Sequence, residues 1–284
     1  MNAPDLRRFR LLIQYDGTPY HGWQRQATEA GPTVQGEIEE VIERLTGARR
    51  AVVAAGRTDS GVHASGQVAS VDVPSRWEAW ELRKALNALL PLEIRIPEVH
   101  RVSGSFHPRY HAILRRYDYF LGMAPDADSP FRNRGCWTLM KDDVSPELLD
   151  RCAALSPGER SFAAFAKAGQ PERGKVCRVQ EAVWEPWADL GFRFRIAANR
   201  YLHHMVRYLV GTMVEVARGL RPLDEMAELL QNRETDLTTS PPAPPEGLFL
   251  SRVEYPRERL GDHPDRDPPR SPSLDSPIPN PRDA

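Results

Sequence analysis

The densest polar run in the chain is Gly56-Arg57-Thr58-Asp59-Ser60-Gly61-Val62-His63-Ala64. A carboxylate stands two residues from a guanidinium, between glycines that permit a tight backbone path and close approach of a ligand. In an extended segment Arg57 and Asp59 would point the same way. A neighbouring positive charge favours an ionised aspartate, which suits a nucleophile or base better than a general acid. The competing reading is an ordinary turn in which Asp59 caps backbone amides and Arg57 is solvated. On spacing alone the turn is the simpler reading, because Asp-Ser-Gly is common turn chemistry. Ser60 is no hydrolase nucleophile, since Thr58 stands where a G-x-S-x-G elbow needs its first glycine. No phosphate-cradling G-x-x-x-x-G-K-S/T or G-x-G-x-x-G occurs. His107 and His111 are spaced i,i+4 across Pro108, which disfavours a helix, and His203 and His204 are adjacent rather than a turn apart. No metal site is expected.

Periodicity supplies the elements that must hold these residues. Phe9, Leu11, Ile13 and Tyr15 alternate before Asp16-Gly17, a strand entering a turn. Val34, Ile38, Val41, Ile42 and Leu45 recur at helical spacing, with Thr33 as N-cap and Gly47 just past the end. Residues 51–55 and 68–73 read as strands flanking the polar loop, and residues 78–90 as a helix stopped by Pro91. A strand over 113–121 puts Ile113, Arg115, Tyr117 and Tyr119 on one face and Leu114, Arg116, Asp118 and Phe120 on the other. Gly191 opens another strand, with Phe192, Phe194 and Ile196 opposite Arg193 and Arg195. The longest helical pattern spans about 200–218. Leu202, Met205, Val206, Leu209, Met213 and Val216 form its apolar stripe, with Arg200, His204, Arg207, Gly211 and Arg218 opposite. Strands and helices interleave without strict alternation, which predicts an α+β fold with mostly antiparallel sheet.

With 284 residues, 40% hydrophobic and 27% charged, the chain has ordinary globular composition and no apolar run long enough for a membrane span. No export signal is read at residues 1–20, so a cytoplasmic protein is expected. Cys136, Cys152 and Cys177 lack C-x-x-C spacing and read as free thiols. The net charge of −1 hides an uneven distribution. Four arginines and no acid lie between Arg44 and Arg57, and six arginines face the single Glu215 between Phe192 and Arg221. A near-neutral protein can therefore still present a basic face. Residues 256–284 hold eight prolines and almost no apolar content, and read as a disordered tail.

Seven segments, in order, resemble the TruA family of tRNA pseudouridine synthases: YDGTPYHGWQRQ (15–26), TVQGEIE (33–39), GRTDSGVHA (56–64), FHPRYHA (106–112), RRYDY (115–119), LHHMVR (202–207) and PPEGLFL (244–250). Together they span nearly the whole body. Two positions depart from the pattern. Ser60 replaces the usual alanine after the motif aspartate, and Asn199-Arg200-Tyr201-Leu202 replaces N-A-F-L, adding a charge ahead of the helix.

The resemblance implies a pseudouridine-synthase fold of two similar subdomains around a central cleft with helices on the outer faces. The expected parts are residues 6–105, 106–255 and the tail. It implies conversion of uridine to pseudouridine at positions 38, 39 or 40 of the tRNA anticodon stem-loop, without cofactor or metal, by a homodimer. Asp59 would be the catalytic residue, Tyr117 would contact the flipped base, Arg57 would help open the stack or hold the extruded nucleotide, and Arg207 would pair with Asp59. Arg49, Arg50, Arg109, Arg115, Arg116 and Arg200 are candidate phosphate contacts. Two other classes fit the bare residues: an RNA-binding module without turnover, and an aspartate-nucleophile hydrolase releasing free uracil.

Overall fold

Alternation at the start of the chain builds the first strand, β1 (Leu6–Tyr15), with Phe9, Leu11, Ile13 and Tyr15 all buried on one face. The computed structural model describes residues 5–24, 31–140, 143–167, 174–231 and 236–260; most of the proline-rich tail lies outside them. Helix α1 (Val34–Thr46) starts and stops where its caps predict. Thr33 accepts from the Gly36 amide, and Gly47 closes it in the left-handed conformation at φ 75°. β2 is only Val53–Ala54, and β3 (His63–Pro74) begins five residues earlier than the alternation suggests. α2 (Ala79–Leu89) is followed by β4 (Ile94–Val102) and β5 (Leu114–Gly122). Then come β6 (Trp137–Thr138), α3 (Pro146–Ala154), β7 (Gly158–Ser161), β8 (Val176–Trp187) and β9 (Gly191–Ala198). α4 (Met205–Ala217), α5 (Leu223–Gln231) and β10 (Leu248–Glu254) complete the described chain.

The strands form one ten-stranded sheet in the order β4-β1-β3-β10-β5-β9-β8-β7, with β2 on β3 and β6 on β5. The β3–β10 and β5–β6 pairings are parallel and the others antiparallel. The chain is therefore α+β, in agreement with its patterning. β10 is the joint: Leu250 pairs with Ala64 of β3 on one side and with Tyr117 of β5 on the other. Strands drawn from before and after residue 105 meet there.

One large core contains buried residues of all five helices together with Leu11, Val71, Tyr119 and Phe194 from the sheet. The opposite side of the sheet has two smaller clusters. Phe106, Tyr255 and Leu260 cover Ala55, Val68 and Val102, while Trp187 and Leu190 cover Phe120. Cys136, Cys152 and Cys177 are buried free thiols. Among the described residues, no helix is long and apolar enough to cross a membrane.

The longest helix departs from its sequence pattern. It begins at Met205, not near residue 200, because His204 takes a left-handed conformation (φ 64°, ψ 4°) that no helix can pass through. Gly211, expected on the polar face, is instead a packing position. A Cβ there would lie 2.2 Å from the Pro241 carbonyl oxygen, so the 240–243 segment runs directly against the helix backbone.

Candidate active site

The loop between β2 and β3 is pinned from several sides. Gln67 Nε2 donates to the Gly56 carbonyl at 2.8 Å, and the Trp23 amide donates to the Thr58 carbonyl at 3.1 Å. The Tyr15 hydroxyl meets Thr58 Oγ1 at 2.7 Å in a buried contact. The Val62 amide closes a turn onto the Asp59 carbonyl at 3.2 Å, with Gly61 at φ 76° in the position that favours glycine. The turn expected from Asp-Ser-Gly therefore forms, yet the Asp59 side chain does not cap it.

That side chain reaches the first turn of α4. His203 Nε2 lies 3.1 Å from Asp59 Oδ1, His204 Nε2 lies 3.3 Å from Oδ2, and Arg207 Nη1 lies 3.7 Å from Oδ2. His204 holds a left-handed backbone, a strain of about 1–3 kcal/mol, with its ring against the carboxylate. Arg207 is aimed by its own anchor, Nε donating to the Ala243 carbonyl at 2.7 Å, while the Ala243 amide donates back to the Arg207 carbonyl. The carboxylate also sits at the positive end of the α4 dipole. Burial holds the His204 imidazole below its ordinary pKa against the pull of Asp59 and with the help of nearby cationic groups, so near neutrality this ring is uncharged.

Tyr117 projects from β5 into the helix-side core with 8% of its surface exposed. Its ring meets Tyr201 edge to face at 4.9 Å. Burial pushes the Tyr117 phenol up to about 12; the Arg115 cation opposes this shift and the Asp59 charge adds to it. Near neutrality the phenol keeps its proton, so Tyr117 offers a ring and a hydrogen-bond donor, not a base. Tyr201 is locked by its hydroxyl over the Arg115 and Ile196 carbonyls, at 3.1 and 3.0 Å.

Of the sequence-derived candidates, Asp59 and Arg207 meet directly, and Tyr117 lies within the electrostatic reach of Asp59. Arg57 stays exposed on the same loop, as do Arg49 and Arg109 elsewhere; Arg50 and Arg200 are half-buried. Arg115 requires a correction. It is 9% exposed, and four of its five N–H groups are engaged by the carbonyls of Ala55, Asn199 and Arg109 at 2.8–3.3 Å, making it a brace and not a phosphate contact. Arg116 points to the opposite face of β5, where Nη1 pairs with Glu181 at 2.8 Å. Within the acid-poor 192–221 stretch, Arg193 and Arg195 both pair across strands with Glu185, at 2.8 and 2.9 Å.

The two histidines are what sequence reasoning missed. Too close in sequence for a helical ligand pair, they nonetheless converge on Asp59, and the three ligand atoms lie within 4.8 Å of one another. Two imidazoles and a carboxylate at that spacing have the donor set for a divalent transition metal. As they stand, the three groups form a close polar cluster, with ring nitrogens 3.1 and 3.3 Å from the carboxylate oxygens. The L-H-H-M-V-R motif itself carried the signal.

A family model described as tRNA pseudouridine synthase matches residues 11–111 and 153–256. The chain belongs to the tRNA pseudouridine synthase family. Relatives called tRNA pseudouridine synthase A have similar sequences along almost their full length. The Chlorobaculum tepidum protein is 42% identical over 254 residues, covering 89% of this chain and 100% of its own. The Cereibacter sphaeroides protein (strain ATCC 17023) is 38% identical over 257 residues, covering 88% and 98%. The Neisseria gonorrhoeae protein (strain NCCP11945) is 36% identical over 258 residues, covering 90% and 95%. Members of the family are isomerases that convert uridine to pseudouridine, and the ten-stranded mixed sheet with five helices described here is this chain's version of the fold.

Proposed function

We propose that the chain isomerises uridine to pseudouridine in the anticodon stem-loop of tRNA, at positions 38, 39 or 40, with Asp59 as the catalytic group. The observation that carries this reading is the Asp59 carboxylate gripped by His203, His204 and Arg207 on the loop bordering Tyr117. In the reaction the N1–C1′ bond breaks, the uracil turns, and a C5–C1′ bond forms. The C5 proton leaves and N1 gains one, so the rearrangement consumes no co-reactant. Asp59 either attacks C1′ or triggers elimination from the ribose. Both routes need a carboxylate held still, and a group held by neighbouring side chains at the start of α4 loses little entropy on reacting.

Arg57, exposed at the loop's rim, holds the extruded nucleotide, offsetting the few kcal/mol that unstacking costs. Tyr117 packs on the flipped base as a neutral phenol. Arg207 keeps the carboxylate oriented. Arg49, Arg50, Arg109 and Arg200 reach backbone phosphates, which fix register and not sequence. The enzyme works in the cytoplasm as a homodimer. Its two halves divide near residue 105, an organisation supported by the β3–β10 joint.

The test is direct. Purified protein is incubated with unmodified tRNA and no added cofactor, and the pseudouridines are mapped. Pseudouridine confined to positions 38–40 is expected. Modification only elsewhere refutes the positions, binding without product favours an RNA-binding module, and release of free uracil favours a hydrolase.

A further inference from the structure

At the outer edge of the sheet, away from Asp59, α2 and β4 enclose an open groove of about 450 Å³, lined by Trp80, Arg83, Lys84, Asn87, Ala88 and Arg95. Trp80, Arg83, Lys84 and Asn87 recur at i, i+3, i+4 and i+7, so one face of α2 presents them together. Trp80 is 64% exposed, an unusual disposition for the side chain with the most apolar surface to hide. Arg83, Lys84 and Arg95 are also exposed, and no acidic residue lines the groove. The helix's first-turn acids are engaged elsewhere: Glu78 pairs with Arg7 at 3.2 Å, and Glu81 accepts from the Glu78 amide in the capping box.

The floor is built in advance. Asn87 clamps α2 to β4, Nδ2 donating to the Ile96 carbonyl at 2.7 Å and Oδ1 accepting from the Ile96 amide at 2.8 Å. Arg83 Nη1 donates to the Pro97 carbonyl at 3.2 Å, which steers that guanidinium along the groove's wall. An exposed aromatic ring flanked by cations is the arrangement that binds an unstacked base with its neighbouring phosphates. A second copy of the chain is a poor occupant, because a two-fold contact would oppose three cations to three cations.

We propose that this groove is an RNA-docking site, in which Trp80 stacks on an unpaired base of the tRNA substrate while Arg83, Lys84 and Arg95 meet the neighbouring phosphates. The proposal rests on the tRNA substrate of the functional reading, but not on the chemistry at Asp59 or on the position modified. The site extends the substrate footprint to an edge two strands removed from β3, where the catalytic loop ends.

The experiment measures equilibrium binding of unmodified tRNA to the full-length protein across a salt series. Trp80→Ala is expected to weaken binding roughly tenfold, with Trp80→Phe recovering most of the loss. The double change Arg83→Gln/Lys84→Gln is expected to reduce the slope of log K against log salt by roughly 1.5, two phosphates' worth. All these side chains are exposed, so thermal unfolding should shift little, the double variant losing only the exposed Arg83–Pro97 hydrogen bond. Pseudouridine formation at sub-saturating tRNA should fall in parallel with affinity in Trp80→Ala. Affinity in Trp80→Ala equal to wild type overturns the docking site and leaves the isomerase reading intact. A change in sedimentation on Trp80→Ala overturns it in favour of an interface between copies. Tight, Trp80-dependent binding by a protein that makes no pseudouridine supports the groove and refutes the catalytic reading.

Discussion

Gly22 offers a way to push on Asp59 without touching it. Its φ is +86°, and a Cβ built there would lie 2.7 Å from the Thr58 carbonyl oxygen, 3.1 Å from the Asp59 carbonyl carbon and 3.2 Å from the Ser60 amide nitrogen. All three are backbone atoms of the catalytic loop, so no flexible side chain can swing aside. Gly22→Ala incurs the left-handed backbone cost of about 1–2 kcal/mol. It also demands that the loop retreat by about 0.7 Å to lengthen a 2.7 Å contact to the 3.4 Å where ordinary contact begins. Overpacking of that kind costs about 1–3 kcal/mol, giving a total of about 2–5 kcal/mol in stability. A misplacement approaching 1 Å in a catalytic group costs on the order of a hundredfold in rate. Gly47 provides the control: it has φ +75° but nothing within 4 Å of where a Cβ would stand, so Gly47→Ala incurs the backbone cost alone. Urea unfolding and single-turnover pseudouridine formation on saturating tRNA would be compared for the two variants. Gly22→Ala should lose at least tenfold in rate where Gly47→Ala loses none. Equal rates in the two variants would refute the claim that the 17–23 segment sets the position of Asp59.

Three further outcomes follow from the same contacts. Tyr15→Phe strands the buried Thr58 hydroxyl and should cost about 1–3 kcal/mol in urea unfolding, with a slower single-turnover rate because Thr58 adjoins Asp59. His204 is held below its ordinary pKa in the fold, so protonation favours the unfolded chain. Its contribution to stability is full above about pH 6.5 and falls as the pH drops through the depressed folded value. In wild type minus His204→Gln, the difference in unfolding free energy should therefore shrink on acidification, and a difference that grows would refute the assignment. Zn²⁺ added to the enzyme should engage Asp59, His203 and His204 and slow turnover, with chelator restoring it and His203→Ala blunting the effect. Turnover indifferent to Zn²⁺ would show that the three groups do not act as a metal site.

Local signals were readable where local chemistry decides the outcome. Thr33 and Gly47 bracket α1 because a hydroxyl N-cap and a left-handed C-cap act within one turn. Tyr117 and Tyr119 share a buried face because a strand alternates. What escaped was decided by distant parts of the chain. The pairing of β10 between β3 and β5 brings Leu250 beside Ala64 across nearly two hundred residues, and seven apolar-leaning positions do not reveal a partner. Arg115 looked like a surface cation because the carbonyls that absorb it belong to Ala55, Arg109 and Asn199. The break at His204 was hidden because the helical period runs smoothly through residues 200–218, with no glycine or proline to mark a left-handed residue. In the site itself, Asp59 and Arg207 were legible as a pair through motif resemblance, whereas the two imidazoles on the same carboxylate became visible only once α4 was seen to start at Met205.

The most direct measurement is pseudouridine formation by Asp59→Asn, which keeps the shape of the side chain and removes its charge and nucleophilicity. With tRNA affinity within a few-fold of wild type, no detectable pseudouridine is predicted even under single-turnover conditions. An Asp59→Asn enzyme that still forms pseudouridine at a comparable rate would contradict the account at its centre.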